Sequence, residues 1–476
     1  MSFTKDFLWG SASAAYQIEG AANTHGKGPS IWDEFSHIEG NTFKNTNGDI
    51  AIDFYNRFEE DIELMREMNL KAYRFSISWP RILPNGYGQI NQKGIDFYHK
   101  VIEKLLECGI EPILTIYHWD LPKKLQDEYL GWEDRKIIDH FVDYCEILFK
   151  EYGSKVKYWV SINEQNIFTS LGYLQKLHPP KINDFQRFLN ANHNANIANA
   201  RSIQLFRKIV PSYNKIGASF AYSPKYANSS NPIDVIAKED AQELMDYLWL
   251  DVYCLGRYSK IALSLLEKKG FKIPIIEGDE ELLLDSKPDF IGINYYQTTN
   301  IESFYGNSNT ISPSKNTVIS SDDHDEKENK NDDSFRIIKN EFLKLTDWNW
   351  TIDPIGLEVG LRRLYSRYNL PILISENGLG AFDKLENDLS IKDHYRIDYL
   401  KQHIQAIDRA INVGVEVIGY CTWSFQDLFS WLNGYQKRYG FVFIDRDEES
   451  EKELKRYKKN SFYWYKKVIE SNGKNL

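Results

Sequence analysis

The chain reads as an α/β protein built on one closed barrel of eight strands and eight crossovers. Three observations predict this. Short apolar runs alternate with amphipathic helical stretches, which implies parallel strands joined by right-handed crossovers. The apolar runs number eight. Several of them pass straight into polar and aromatic residues, and that end of a parallel barrel is where chemistry is carried.

In chain order, residues 7–12 form the first run, which ends in small residues ahead of Tyr16-Gln17-Ile18-Glu19-Gly20. Residues 53–70 read as a helix with Phe54, Phe58, Ile62 and Met65 on one face and acids on the other. The second run, 71–78, leads into Trp79-Pro80-Arg81. A helix over 97–107 is stopped by Gly109. The third run, 111–117, passes into His118-Trp119-Asp120, and a helix over 135–150 stops at Gly153. The fourth run, 156–162, opens onto Asn163-Glu164. The remaining four are 215–222, 290–294, 371–375 and 415–423. From the second run to the fourth the unit repeats about every 40 to 45 residues, longer than a minimal unit, so the loops carry insertions. A doubly wound sheet is the rival architecture. It lacks support, because Gly378-Leu379-Gly380 is only a GxG, with Asp383 where a third glycine would stand. The stretch 304–345 reads as a polar surface insertion between the sixth and seventh runs, and its centre, 312–334, holds almost no apolar residue. No linker divides the chain, so residues 1–476 are read as a single domain.

Composition narrows the function classes. With 476 residues, 42% of them hydrophobic and 14% aromatic, a large core can be buried and whole-chain disorder is excluded. Twelve Trp and thirty Tyr suit carbohydrate platforms as well as packing. A net charge of −10 argues against a nucleic-acid or membrane-surface partner, yet it permits a local basic pocket. Cys108, Cys145, Cys254 and Cys421 form no CxxC and suggest neither a disulfide framework nor a zinc site. The ten His show no HExxH or similar spacing, so no metal and no organic cofactor is expected. Residues 1–10 lack the pattern of a signal peptide, and no run approaches the roughly eighteen apolar residues of a membrane span. The expectation is a cytoplasmic protein, and a homo-oligomer is compatible with it.

Two carboxylates then stand out. Glu164 follows the fourth run and Glu376 the seventh, each with an Asn beside it. In a closed barrel both ends face one cavity, and two carboxylates across one cavity are what glycoside hydrolysis requires. Arg74, in the second run, is within reach of that cavity. A guanidinium keeps a neighbouring carboxylate ionised, which suits a nucleophile. The other Glu, close to that negative charge, holds its proton longer, which suits an acid. A non-catalytic barrel that binds sugar phosphates is the alternative from another class.

The motifs Tyr16-Gln17-Ile18-Glu19-Gly20, Tyr73-Arg74-Phe75-Ser76-Ile77-Ser78-Trp79, His118-Trp119-Asp120, Asn163-Glu164, Asn294-Tyr295-Tyr296, Ser375-Glu376-Asn377-Gly378 and Trp423-Ser424 occur in one order along the chain. Together they resemble glycoside hydrolase family 1, from Phe7 to about Ile469. The resemblance implies a (β/α)8 TIM barrel and a retaining double displacement, with Glu164 as acid/base, Glu376 as nucleophile and carboxyls roughly 5–5.5 Å apart. It also implies that Gln17, His118, Asn163, Asn294 and Trp423 hold the sugar, and that Arg74 and Tyr296 support the nucleophile. Two positions depart from the usual pattern: Gln165 replaces a Pro after the acid/base, and Ser375 replaces a common Thr before the nucleophile.

Substrate choice is read from residues 429–440. Ser430, Lys437 and Tyr439 offer a hydroxyl, a cation and a phenol at the barrel mouth, a set that suits a phosphate. The phospho-glycosidase branch of the family is similar here: it carries Ser where enzymes for plain glucosides usually carry Glu, followed by Lys-x-Tyr. The resemblance therefore implies a β-glycoside phosphorylated at O6, either a disaccharide or an aryl glycoside. Trp431 matches a residue near O4 in phospho-galactosidases, but the run 430–440, the tail through Trp464 and Tyr129 look more like the phospho-glucosidase side. Trp350 is expected to form a sugar or aglycone platform. A 6-phospho-β-galactosidase or a dual-specificity enzyme is the alternative within the class.

Overall fold

The structure, a computed structural model, describes residues 3–303 and 335–476. Eight parallel strands close into a barrel: β1 Leu8–Ala12, β2 Ala72–Ser76, β3 Glu111–Tyr117, β4 Tyr158–Asn163, β5 Lys215–Ala221, β6 Phe290–Asn294, β7 Ile372–Asn377 and β8 Val417–Trp423. Each pairs with its neighbours in sequence, and β1 closes the ring between β2 and β8. The eight strands are the eight apolar runs, with ends trimmed or extended by a residue or two.

One boundary bears on function. The sequence predicts that the seventh run stops before Glu376; in the structure β7 continues through Asn377. Its register against β6 and β8 slips between Ile374 and the residues that follow. Such a bulge re-aims side chains at a strand end without ending the pairing. Gly378 follows at once, and a Cβ there would lie 1.9 Å from the carbonyl oxygen of Trp423, so only glycine lets the chain leave β7 so close to β8.

The outer layer includes α1 Phe54–Glu67, α2 Gln92–Glu107, α3 Ile137–Tyr152, α4 Phe185–Ile209, α5 Pro354–Tyr368, α6 His394–Asn412 and α7 Asn460–Glu470. Phe54, Phe58, Ile62 and Met65 of α1 are buried against the barrel, the face that the periodicity predicts. The helix begins later than expected because Asp53 sits at its N-cap in a left-handed conformation. α2 begins earlier than expected, at Gln92: its polar first residues conceal a turn whose Gly94 and Ile95 are already buried. α4 departs most from an amphipathic pattern. Asn192, Asn194, Asn196 and Asn199 are all buried, and they bond to the ends of β4, to the loop after β3 and to the segment holding Trp249 and Tyr258. Buried amides persist only when paired in this way.

Of the stretch expected as a polar insertion, 304–334 lies outside the described residues, and so does its centre at 312–334. The remainder is ordered structure rather than loop alone. Phe335–Ile338 pairs antiparallel with Thr299–Ser303, and Lys344–Leu345 with Thr351–Ile352. Among the described residues no helix is long and apolar enough to cross a membrane, and no cluster of His, Cys, Asp or Glu has a metal-binding arrangement.

Candidate active site

The strand ends build the site from below. Arg74 of β2 is fully buried and makes four hydrogen bonds. It donates to Glu376 Oε1 at 2.6 Å, the Ser375 carbonyl at 3.2 Å, Asn163 Oδ1 at 2.6 Å and Thr115 Oγ1 at 3.0 Å. The other carboxylate oxygen of Glu376 accepts from the phenol of Tyr296 at 2.7 Å. Both oxygens of Glu376 are thus held, one by a cation and one by a neutral donor.

Asn294 links the two carboxyls through the frame. Its amide donates to Glu164 Oε1 at 2.9 Å and to Asn163 Oδ1 at 3.0 Å, and its own Oδ1 accepts from the Ser375 hydroxyl at 2.7 Å. The Ser375 hydroxyl thus fixes the orientation of the amide that Glu164 leans on. Because Asn163 Oδ1 accepts from both Arg74 and Asn294, its Nδ2 must be the donor to His118 Nε2, at 3.1 Å. His118 then carries its proton on Nδ1, which is buried and without a protein partner among the described residues. Burial, with the Arg74 charge adding to it, holds this imidazole well below its ordinary pKa and therefore neutral. Gln17 donates to the Phe429 carbonyl at 2.7 Å while its own Oε1 is buried and unpaired.

Glu164 and Glu376 differ in environment. Burial first, and then the Glu376 charge, pushes the Glu164 carboxyl up to about 8. Burial also raises Glu376 above the ordinary carboxylate range. Arg74 and the Tyr296 phenol oppose that rise. The one proton a buried pair keeps near neutrality therefore sits on Glu164, the carboxyl without a cation. Glu164 also adopts a left-handed backbone, φ 48°, at the start of a short helix, Gln165–Thr169. A non-glycine residue held there carries strain, which structures tend to store at functional positions. Gln165, the departure beside it, is buried and anchored: its amide bonds Asn192 and Asn196, and its Oε1 accepts from Tyr253 at 2.8 Å.

Gln17, His118, Glu164, Asn294, Tyr296, Trp350, Glu376, Trp423, Ser430, Trp431, Lys437 and Tyr439 line a single cleft of about 1660 Å³, its open mouth included. Arg74 and Asn163 do not line it; they act through the residues that do. Trp423 stacks on His118 at 5.7 Å, and Trp431 stacks on Tyr16 at 6.0 Å and on Trp119 at 4.8 Å. Trp119 also donates from its indole to the Asn163 carbonyl at 3.0 Å, a support that the sequence reading did not assign. Thr115 is a second such support, and only its contact with Arg74 identifies it.

At one end of the cleft stand Ser430, Lys437 and Tyr439, all buried. Lys437 has no carboxylate partner among the described residues, and burial pulls its ammonium well below the usual lysine range. Its Nζ lies 3.7 Å from the centroid of the Trp350 ring. Gly380 abuts it: a Cβ there would come within 2.7 Å of Lys437 Cε. The expected platform residue, Trp350, therefore packs on the lysine and, at 5.4 Å, on Tyr296, while still facing the cleft.

Comparison with known proteins agrees with this geometry. Residues 1–474 match the model of Glycosyl hydrolase family 1. The chain is 54% identical to aryl-phospho-β-D-glucosidase BglC of Bacillus subtilis (strain 168), over 100% of this chain and 98% of that protein. It is 42% identical to β-glucosidase A of Acetivibrio thermocellus, over 99% of each. The family 1 β-glucosidase of Thermotoga maritima superposes with a TM-score of 0.88 at 37% identity, covering 99% of each chain. The chain belongs to glycosyl hydrolase family 1.

Proposed function

We propose that the protein is a retaining 6-phospho-β-glucosidase: it hydrolyses 6-phospho-β-D-glucosides to glucose 6-phosphate and an aglycone. The observation that carries the phosphate is Lys437, a buried cation without an acid among the described residues, beside Ser430 and Tyr439 in the same cleft as the carboxyl pair. Relatives at 37% to 42% identity bear both phospho-glucosidase and plain glucosidase names, so overall likeness at that level does not choose between them. The 54% identical relative is named for the phosphorylated substrate.

In the first step the Glu376 carboxylate attacks the anomeric carbon from the face opposite the leaving group. The proton on Glu164 passes to the departing glycosidic oxygen. The covalent ester consumes the charge on Glu376. That removes the negative charge that helps to raise Glu164, whose pKa therefore falls as it turns from acid to base. Glu164 then takes a proton from water, the hydroxide oxygen attacks the same carbon, and Glu376 leaves, restoring the β configuration. Gln17 Oε1 and His118 Nδ1–H, both without a partner among the described residues, are assigned to sugar hydroxyls. The cleft is also lined by Leu171, Leu174, Phe188, Leu244 and Leu248, apolar side chains that suit an aryl aglycone. A sugar phosphate made during uptake is an intracellular substrate, so the reading carries a cytoplasmic location with it.

Hydrolysis of four chromogenic β-glycosides tests this: glucoside, galactoside and the 6-phosphate of each. Turnover is expected on the 6-phosphoglucoside first. Activity confined to the plain sugars would overturn the phosphate assignment, and inactivity on all four would favour a barrel that only binds sugar phosphates.

A further inference from the structure

The wall behind Lys437 is aromatic. Its Nζ lies 3.7 Å from the ring centroid of Trp350, 4.9 Å from that of Trp348 and 5.6 Å from that of Tyr439. Trp348 is buried, yet it is not among the residues lining the cleft, so it has no face to offer a sugar or an aglycone. It is nevertheless fixed on two sides by the loops that form the pocket. Its indole N–H donates to Asn433 Oδ1 at 3.1 Å, within the loop after β8, and its ring stacks on Phe382, from the loop after β7, at 4.6 Å.

Aromatic faces attract an ammonium through their quadrupole. They accept N–H groups only weakly and bring no net charge. A carboxylate in their place would hold the lysine more tightly, but it would neutralise the cation and repel a dianion. We propose that Trp348 is a positioning residue for phosphate selectivity: it acts through Lys437, as the outer half of an aromatic clamp that keeps the ammonium aimed at the cleft with its charge and N–H groups free for the phosphate. The proposal rests on the phosphate reading above and adds to it a residue that touches no substrate.

The test compares aryl 6-phospho-β-glucoside with the unphosphorylated aryl β-glucoside, with kcat and KM measured separately. Trp348→Leu is expected to raise KM for the phosphorylated substrate about tenfold, leave its kcat within about twofold, and leave KM for the plain glucoside unchanged. Trp348→Phe, which keeps a ring, should recover most of the loss. Should Trp348→Leu fail to fold, Phe382→Ala removes an exposed ring that stacks on Trp348 and should raise the phosphate KM by about twofold to threefold. Equal changes on both substrates, or no change on the phosphorylated one, overturn the inference even where the wild type prefers phosphate. A wild type with no phosphate preference overturns the phosphate reading and this inference together.

Discussion

Two of the buried cations at the site, Arg74 and Lys437, are treated in opposite ways. Arg74 is well paired: a carboxylate, a backbone carbonyl, a hydroxyl and an amide oxygen accept from its guanidinium in four hydrogen bonds. Lys437 has no acid among the described residues and meets ring faces at 3.7 to 5.6 Å. A buried ion pair held by several further hydrogen bonds is a fixed part of a protein; a buried charge without a counterion is costly and persists where a ligand completes it. On the proposed reading, Arg74 belongs to the machine and Lys437 to the substrate.

The strongest way to break this contrast is to remove the acid from Arg74. Glu376→Ala leaves a second unpaired buried cation and no nucleophile. Turnover should fall by on the order of 10⁴-fold or more, and azide should restore part of it with an inverted glycosyl azide as product. Near-normal turnover in that variant would end the nucleophile assignment. Arg74→Met attacks the same pair from the other side. It strands a buried carboxylate, so thermal or denaturant unfolding should register a loss of roughly 3–5 kcal/mol. The Glu376 carboxyl should also rise further, moving the acid limb of kcat/KM to higher pH.

The matching change at the other cation should have the opposite sign on stability. Lys437→Met removes an uncompensated charge and keeps the apolar stem, so the ligand-free protein should gain on the order of 1 kcal/mol. The same variant should raise KM for the phosphorylated substrate by about 10²-fold, the scale of a buried charge-assisted contact, with little effect on the plain glucoside. A stability loss like that of Arg74→Met would mean that Lys437 is an ordinary structural cation.

The smallest effects concern the proton on Glu164. Because its carboxyl must be protonated to act as the acid, kcat/KM should fall as pH rises through about 8. Glu164→Gln should remove that limb when the leaving group is good enough to depart unaided. The linkage has a definite sign. A folded-state pKa raised above the unfolded value means that the folded state keeps a proton the unfolded chain releases, so stability declines as pH climbs from the ordinary carboxylate range towards about 8. Glu164→Gln should therefore raise the melting temperature at pH 8 relative to wild type and lose that advantage near pH 4. Equal melting temperatures at both pH values would place the raised pKa elsewhere.

These contrasts also separate what was legible in the chain from what was not. The eight runs were legible because barrel strands buried on both faces are written as continuous apolar residues. Glu164 and Glu376 were legible because a carboxylate closing such a run has few structural reasons to be there. Ser430, Lys437 and Tyr439 were legible as residue types within one short stretch. The sequence by itself determined the fold, and it pointed to the carboxylate pair and to the donors within 429–440, since each is local or periodic.

Tertiary structure alone decided the rest. The bulge that carries β7 past Glu376 depends on two neighbouring strands. The proton position on His118 follows from a chain of hydrogen bonds running from β2 through β4 to β6. Thr115 and Trp119 look like core residues until Arg74 and Asn163 are placed beside them. That Lys437 meets no acid among the described residues, and that Trp348 packs beside it between Asn433 and Phe382, are properties of three loops far apart in the chain. Nothing local in a sequence states which charges will be left unpaired, because pairing is settled only when distant segments are packed together.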